Sequence, residues 1–213
     1  MKSSSLHRLL GLKGDLSQFT ADMNTQRERF GDLAGRHENG TTPKAVSVFN
    51  LFQTPKDIAQ RMAGIVQQHC GMSSRILEPS AGLGRIYSAV IDTLPGSRVS
   101  LVEQSAECAG ELYRIARDGD RLFQRDFLEV SPEEIGFFDA ICMNPPFKQG
   151  LDIKHIMHAK TFLAPGGVLV SLCYNGARQN AFLKPLATSW DVLPDNSFRA
   201  EGTTASVCLL IIQ

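Results

Sequence analysis

The sequence predicts an α/β fold with a mostly parallel, seven-stranded sheet covered by helices on both faces. From residue 55 onwards, short apolar runs alternate with stretches of helical periodicity, which is typical of βαβ units and a parallel sheet. The last apolar run, at 203–212, is followed by no helix. That run therefore predicts an antiparallel strand added to the parallel sheet.

Local signals place the elements in order along the chain. Thr54-Pro55 predicts a helix start, because proline suits the first helical turn. Five strands are predicted at 75–78, 98–102, 121–124, 137–143 and 167–173, and a strand near 190–199 is expected to pair with 203–212. Helices are predicted between them at about 84–94, 105–118 and 151–163.

The first part of the chain differs from this pattern. Residues 1–45 are polar with scattered apolar positions, and they end in a stretch rich in helix breakers at 35–43. We expect an N-terminal helical arm or lid here, with a partly ordered leader as the alternative. Residues 46–213 are expected to form the main domain.

Composition narrows the class of protein. Lys+Arg and Asp+Glu both number 22, which excludes a protein that binds nucleic acid through overall positive charge. The five cysteines form no CxxC pair, so reduced thiols in a cytoplasmic protein are expected rather than disulfides or a zinc site. No apolar run is long enough to span a membrane and no signal peptide is recognisable.

A glycine-containing turn, Glu78-Pro-Ser-Ala-Gly-Leu-Gly84, lies between the first predicted strand and the next helix. We expect a side chain at Gly82 or Gly84 to fill the space that a ligand would occupy. Glu103 ends the next strand about 20 residues later, where an acidic group can accept hydrogen bonds from ribose hydroxyls. The pattern predicts a nucleoside site; a tight turn with a solvated Glu103 is the alternative.

A second motif, Asn144-Pro-Pro-Phe147, follows the fourth predicted strand. Ligands of open α/β sheets bind at this end of the strands. The Asn144 side-chain oxygen and the Pro145 carbonyl can both accept hydrogen bonds, which suits a planar amino group with two N–H donors. Phe147 offers a face on which a ring can stack. A rigid turn capped by Asn144 is the alternative, but it would not require all four residues.

Together these motifs resemble the Rossmann-like class I S-adenosylmethionine-dependent methyltransferases that methylate exocyclic or amide nitrogen. The order of Phe52-Gln-Thr-Pro55, the glycine turn and NPPF is most similar to γ-type adenine-N6 DNA methyltransferases, including small phage- or plasmid-borne members. The similarity covers about residues 50–213. It implies S-adenosyl-L-methionine as the cofactor, no metal, and a nucleic acid, DNA in particular, as the substrate.

The resemblance also implies roles for individual residues. Thr54 would hold the methionine carboxylate, Glu103 the ribose, and Asp126 the adenine amino group. The residues expected to bind the cofactor are Phe52, Thr54, Glu78, Pro79, Ser80, Ala81, Gly82, Gly84, Glu103, Gln104, Asp126, Phe127 and Asn144. Those expected to hold the target amine are Asn144, Pro145, Pro146 and Phe147.

Several alternatives stay open. NPPF-like loops also resemble those of guanine-N2 RNA and glutamine-N5 protein methyltransferases, and the fold also occurs in non-catalytic subunits. The γ-type enzymes usually carry a target-recognition domain after the catalytic one, so a homodimer or a separate recognition subunit could supply recognition. His155 and His158 could form a metal pair, but ordinary helix positions are favoured without a third ligand. The excess of Lys and Arg between 144 and 200 suits either a nucleic-acid-facing rim or an ordinary surface.

Overall fold

The computed structural model describes residues 52–213, and these form a seven-stranded sheet with the order β3-β2-β1-β4-β5-β7-β6. The strands are β1 Arg75–Glu78, β2 Arg98–Val102, β3 Arg121–Phe123, β4 Phe138–Met143, β5 Leu163–Tyr174, β6 Ser189–Val192 and β7 Val207–Ile212. Strands β1 to β5 pair in parallel, and β7 runs antiparallel to both β5 and β6. The predicted α/β fold is confirmed. The predicted arm at 1–45 lies outside the described residues.

Six α-helices connect these strands within the described part of the chain. They are α1 Lys56–His69, α2 Arg85–Thr93, α3 Ala106–Ile115, α4 Pro132–Ile135, α5 Leu151–Lys160 and α6 Ala177–Phe182. Short 3₁₀ turns lie at Phe127–Glu129, Lys148–Gly150, Lys184–Leu186 and Arg199–Glu201. No helix within residues 52–213 has the length and apolar character needed to cross a membrane.

The sheet separates two hydrophobic clusters. Ile76 of β1 points into the cluster that contains Met62 of α1 and Val90 of α2. Its neighbour Leu77 points into the opposite cluster, which contains Ile156 of α5. Because successive side chains of a strand face opposite sides, a strand covered on both faces must be apolar throughout. This explains the continuous apolar runs that predicted the strands.

Strand β5 begins earlier than the sequence predicts. We expected it at 167, but Leu163 already pairs with Phe138 of β4. The Phe138 amide also donates to the Phe162 carbonyl at 2.9 Å. The register then shifts between Phe138 and Ala140, and Gly166 adopts a φ of +76°. Pro165-Gly166-Gly167, residue types that are typical of turns, therefore lie in a bulge within the strand.

The antiparallel pair is shorter than predicted. Strand β6 ends at Val192 and β7 begins at Val207, whereas the sequence suggested 190–199 and 203–212. Leu193 still donates to the Val207 carbonyl at 2.9 Å. Pro194 follows and has no N–H to continue the ladder. The strand therefore stops there.

Candidate active site

The predicted site residues meet at one edge of the sheet. Strands β2, β1 and β4 are neighbours, and the loops after them contain Glu103, Pro79–Gly84 and Asn144–Phe147. Strand order reverses between β1 and β4, because the chain proceeds outward to β3 on one side and β5 on the other. Such a switch point opens a crevice at the carboxyl ends of the strands, where α/β proteins bind ligands.

The glycine turn is shaped by two residues with positive φ. Gly82 has a φ of +54° and Gly84 a φ of +79°, a region that other residues rarely adopt. A Cβ on Gly84 would lie 2.7 Å from Ile115 Cδ1 and 3.0 Å from Leu112 Cδ2. Side chains of α3 therefore fill the space at Gly84, whereas we expected this space to be open for a ligand. A direct contact between Gly84 and the cofactor stays a prediction.

Glu103 joins the glycine turn to the start of α3. Its Oε2 accepts a hydrogen bond from the Gly82 amide at 2.8 Å, and its Oε1 accepts one from the Ser105 amide at 2.7 Å. The Ser105 hydroxyl in turn caps α3 by accepting from the Cys108 amide at 3.3 Å. The Glu103 carboxylate is thus held at the end of β2, beside the turn.

Glu78 is a buried carboxyl group at the end of β1. It is 2% exposed, and among the described residues no hydrogen-bond donor meets its Oε2. Burial, together with the negative charge of Glu103, raises the pKa of Glu78 well above its usual range. An unpaired buried oxygen beside the glycine turn suits a ligand that brings a hydrogen-bond donor, such as an amino group.

Asn144 holds the loop after β4 against the segment before α1. Its Nδ2 donates to the Phe52 carbonyl at 3.1 Å. Donation by Nδ2 leaves Oδ1 as an acceptor, and no donor among the described residues meets it. Pro145 is buried, Pro146 is exposed, and Phe147 is half-buried against the core. The Asn144 acceptor and the partly exposed Phe147 ring thus belong to the same four-residue loop.

The segment before α1 is also held from a second side. Gln53 Oε1 accepts a hydrogen bond from Arg85 Nη2 at 3.2 Å, which links this segment to α2. Thr54 is 3% exposed and begins the turn into α1. Phe52 to Thr54 therefore lie against both the NPPF loop and the helix after the glycine turn. That position is compatible with the predicted role of Thr54, which stays a prediction.

Asp126 and Phe127 have local partners in the structure. Asp126 Oδ1 accepts from the Leu128 amide at 2.9 Å and so caps the 3₁₀ turn. Phe127 is 2% exposed, with its ring centre 4.8 Å from that of His158 and 5.3 Å from that of Phe162. Contacts of Asp126 and Phe127 with the cofactor adenine stay predictions. Gln104, the remaining predicted cofactor contact, is exposed next to Glu103.

His155 lies near the site, although no sequence motif indicated that position. It is 7% exposed, and its Nδ1 lies 3.5 Å from the Ser80 Oγ of the glycine turn. Burial lowers the pKa of His155, and the nearby Asp126 partly opposes that shift. The buried residues Asp152, Ile156 and Ala159 are spaced by four and three residues, a helical pattern that could have indicated the buried face of α5. Within 52–213, no group of three or more potential metal ligands comes together.

Comparisons with known proteins agree with this architecture. The family described as "Methyltransferase small domain" matches residues 59–197. No curated protein matches the sequence of this chain. Among solved structures, PH1948 of Pyrococcus horikoshii, assigned as an RNA methyltransferase, superposes with a TM-score of 0.64 at 15% identity, over 87% of this chain and 98% of that protein.

Two further solved structures are similar over part of their length. TrmN of Thermus thermophilus has a TM-score of 0.59 at 20% identity, over 74% of this chain and 48% of TrmN. A protein of Vibrio vulnificus YJ016, assigned as the modification subunit of a type I restriction enzyme, has a TM-score of 0.57 at 15% identity, over 78% of this chain and 45% of that subunit. This chain therefore spans about half the length of these two proteins.

Proposed function

Since this chain belongs to the methyltransferase small domain family, in which S-adenosylmethionine is the cofactor, we propose that it methylates an exocyclic amino nitrogen, adenine N6 in DNA. The observation that carries this proposal is the arrangement of Asn144. Its Nδ2 donates to the Phe52 carbonyl, so its Oδ1 is available to accept a hydrogen bond from a target amine. The adjacent Pro145 contributes a backbone carbonyl but no N–H.

The described residues fit the cofactor. The unpaired Oε2 of Glu78 is a buried acceptor suited to the amino group of the methionine moiety. Glu103 is held by two backbone amides at the end of β2, where it can accept from ribose hydroxyls. Thr54, Ala81 and Gly82 line the same edge of the sheet. When bound, the cofactor supplies a methyl group that is already activated for transfer.

The residues of the chain then mainly position the acceptor. Asn144 Oδ1 and the Pro145 carbonyl accept the two N–H groups of the target amine, which directs its lone pair away from the loop. The same two oxygens stabilise the positive charge that develops on the nitrogen. The proton can leave to water after transfer, so no strong base is required.

An aromatic target gains more from this site than an amide does. A base flipped out of a duplex loses a few kcal/mol of stacking and pairing, and stacking on Phe147 would return roughly 1–3 kcal/mol. Stacking on Phe147 therefore favours a nucleic-acid base over a glutamine side chain. RNA is the second candidate, because PH1948 is assigned as an RNA methyltransferase. We also propose that a second copy of the chain or a separate subunit takes part in sequence recognition.

The test is methyl transfer from labelled S-adenosylmethionine to duplex DNA, single-stranded DNA, RNA and protein, with Asn144→Ala assayed alongside. Label recovered as N6-methyladenine in DNA and lost in the variant is the expected result. Label in RNA or protein would contradict the DNA substrate while retaining the amine site. Wild-type turnover by Asn144→Ala would contradict the site. Cofactor binding without transfer to any acceptor would favour a non-catalytic subunit.

A further inference from the structure

A buried carboxylate joins three segments beside the NPPF loop. Asp152 of α5 is fully buried, and its Oδ2 accepts a hydrogen bond from the amide of Tyr174, the last residue of β5, at 3.0 Å. Both of its carboxylate oxygens lie within 3.0 Å of Gln179 Nε2 in α6. Asp152 therefore fixes α6 at the carboxyl end of β5, next to the helix that follows the NPPF loop.

Helix α6 has one buried face and one exposed face. Gln179 is 4% exposed, and Leu183 directly after the helix is fully buried. Arg178 and Phe182 are four residues apart and so share the other face. Phe182 is 63% exposed and Tyr174, just before the helix, is 42% exposed. Two large aromatic rings and a guanidinium group are thus presented to solvent on one segment.

The segment that contains these residues also carries an excess of positive charge. Residues 145–190 contain five Lys or Arg, and their only acidic residue is the buried Asp152. Arg178 lies beside the 3₁₀ turn that follows the NPPF loop, because its Nη1 lies 3.1 Å from where a Cβ on Gly150 would be. Lys148 is exposed in the same short 3₁₀ turn as Gly150. Cations therefore border the proposed target site without an exposed carboxylate from this segment.

We propose that Lys148, Tyr174, Arg178 and Phe182 form a strand-binding rim that holds the nucleotides next to the target base. The rim deepens the proposed function and rests on it. Cations attract phosphates, and exposed aromatic rings stack on bases of any sequence. A single-stranded or locally opened DNA strand matches both properties, whereas a protein substrate would have no general use for stacking rings. Asp152 would be a positioning residue that keeps α6 in place.

The test measures binding of a short fluorescein-labelled single-stranded DNA to the full chain by anisotropy. The variant Arg178→Ala/Phe182→Ala is compared with Tyr113→Ala/Arg114→Ala, which removes an exposed aromatic ring and a cation from α3 instead. We expect the rim variant to lose affinity by roughly tenfold or more, and the α3 variant to match wild type. For Arg178→Ala alone, the plot of log K against log salt concentration should become less steep by about 0.7.

Two readouts separate the rim from the catalytic site. S-adenosylmethionine binding should be equal in all of these variants, which also shows that they are folded. In methyl transfer, the rim variant should raise the KM for DNA and change kcat little. Wild-type DNA affinity in the rim variant, or an equal loss in the α3 variant, would overturn the rim. DNA binding that depends on the rim, but without methyl transfer by wild type, would retain the rim and contradict the proposed function.

Discussion

Asn144 donates a 3.1 Å hydrogen bond to the carbonyl of Phe52, and this bond joins two segments 92 residues apart. One segment contains the proposed acceptor of the target amine, and the other begins the turn into α1. The amide nitrogen of Asn144 thereby orients its own oxygen. One side chain thus links the segment predicted to hold the cofactor to the loop predicted to hold the target.

Asn144→Asp should separate these two roles. Aspartate keeps an acceptor oxygen for the target but faces the Phe52 carbonyl with a second acceptor, so the bond is lost and replaced by repulsion. We expect transfer to fall by about a hundredfold or more and cofactor affinity to fall further than in Asn144→Ala. Calorimetric titration with S-adenosylmethionine measures the second effect. Equal cofactor affinity in both variants would contradict the tether.

Glu103→Gln should weaken both the glycine turn and cofactor binding. The carboxylate accepts hydrogen bonds from two backbone amides. A glutamine can accept only one of them, because its NH₂ group is itself a donor and would face the second backbone N–H. We expect a loss of about 1–3 kcal/mol in the free energy of unfolding and at least tenfold weaker cofactor binding, about 1.4 kcal/mol. Glu107→Gln on the exposed first turn of α3 is the control, and it should cost less than about 0.5 kcal/mol.

Glu78→Gln should change how stability depends on pH. Burial raises the pKa of Glu78 in the folded chain, so the folded state binds its proton more tightly than the unfolded state does. The stability from this group is fully present below the unfolded pKa of about 4.3 and is lost as pH rises through the folded pKa. Glutamine does not titrate, so the variant should gain stability relative to wild type as pH rises.

Urea unfolding without cofactor, at several pH values from acid to mildly alkaline, measures this difference. A relative stability of Glu78→Gln that stays constant or falls as pH rises would show that the folded carboxyl group is not destabilised by burial. The same variant should bind S-adenosylmethionine more weakly, because it replaces a carboxylate near the expected amino group with a neutral amide.

Two glycines of neighbouring elements should respond oppositely to alanine. At Gly84 a Cβ would lie 2.7 Å from Ile115 Cδ1, and φ is +79°; Gly84→Ala should therefore cost about 1–3 kcal/mol. At Gly110, within α3, nothing lies within 4 Å of the new Cβ. Gly110→Ala should therefore stabilise the chain by about 0.5–1 kcal/mol. Thermal unfolding of both variants tests this, and equal effects would refute the packing of α3 against the glycine turn.

The sequence predicted the sheet well because its strands are apolar on both faces, as Ile76 and Leu77 illustrate. It predicted the positions of Glu78, Glu103 and Asn144 at one edge, because the carboxyl ends of parallel strands lie together. It could not predict that Leu163 pairs with Phe138, since Pro-Gly-Gly is typical of a turn and the bulge depends on β4.

Other features depend on contacts between distant segments. The packing of Gly84 against α3 and the approach of His155 to Ser80 each join residues whose sequence separation carries no signal. The bond from Asn144 to Phe52 is of the same kind. Local patterns reveal which backbone conformation and which face a residue adopts, but not which side chain it meets across the fold.

The position of β7 between β5 and β6 has a consequence for synthesis on the ribosome. Val207–Ile212 supplies pairing partners for both neighbours, so β6 remains unpaired while this segment is still inside the exit tunnel. During that interval one edge of β5 is unpaired, although most of its residues are buried in the folded chain. This edge can pair with another nascent chain. Until β7 emerges from the tunnel, aggregation through the edge of β5 therefore competes with folding.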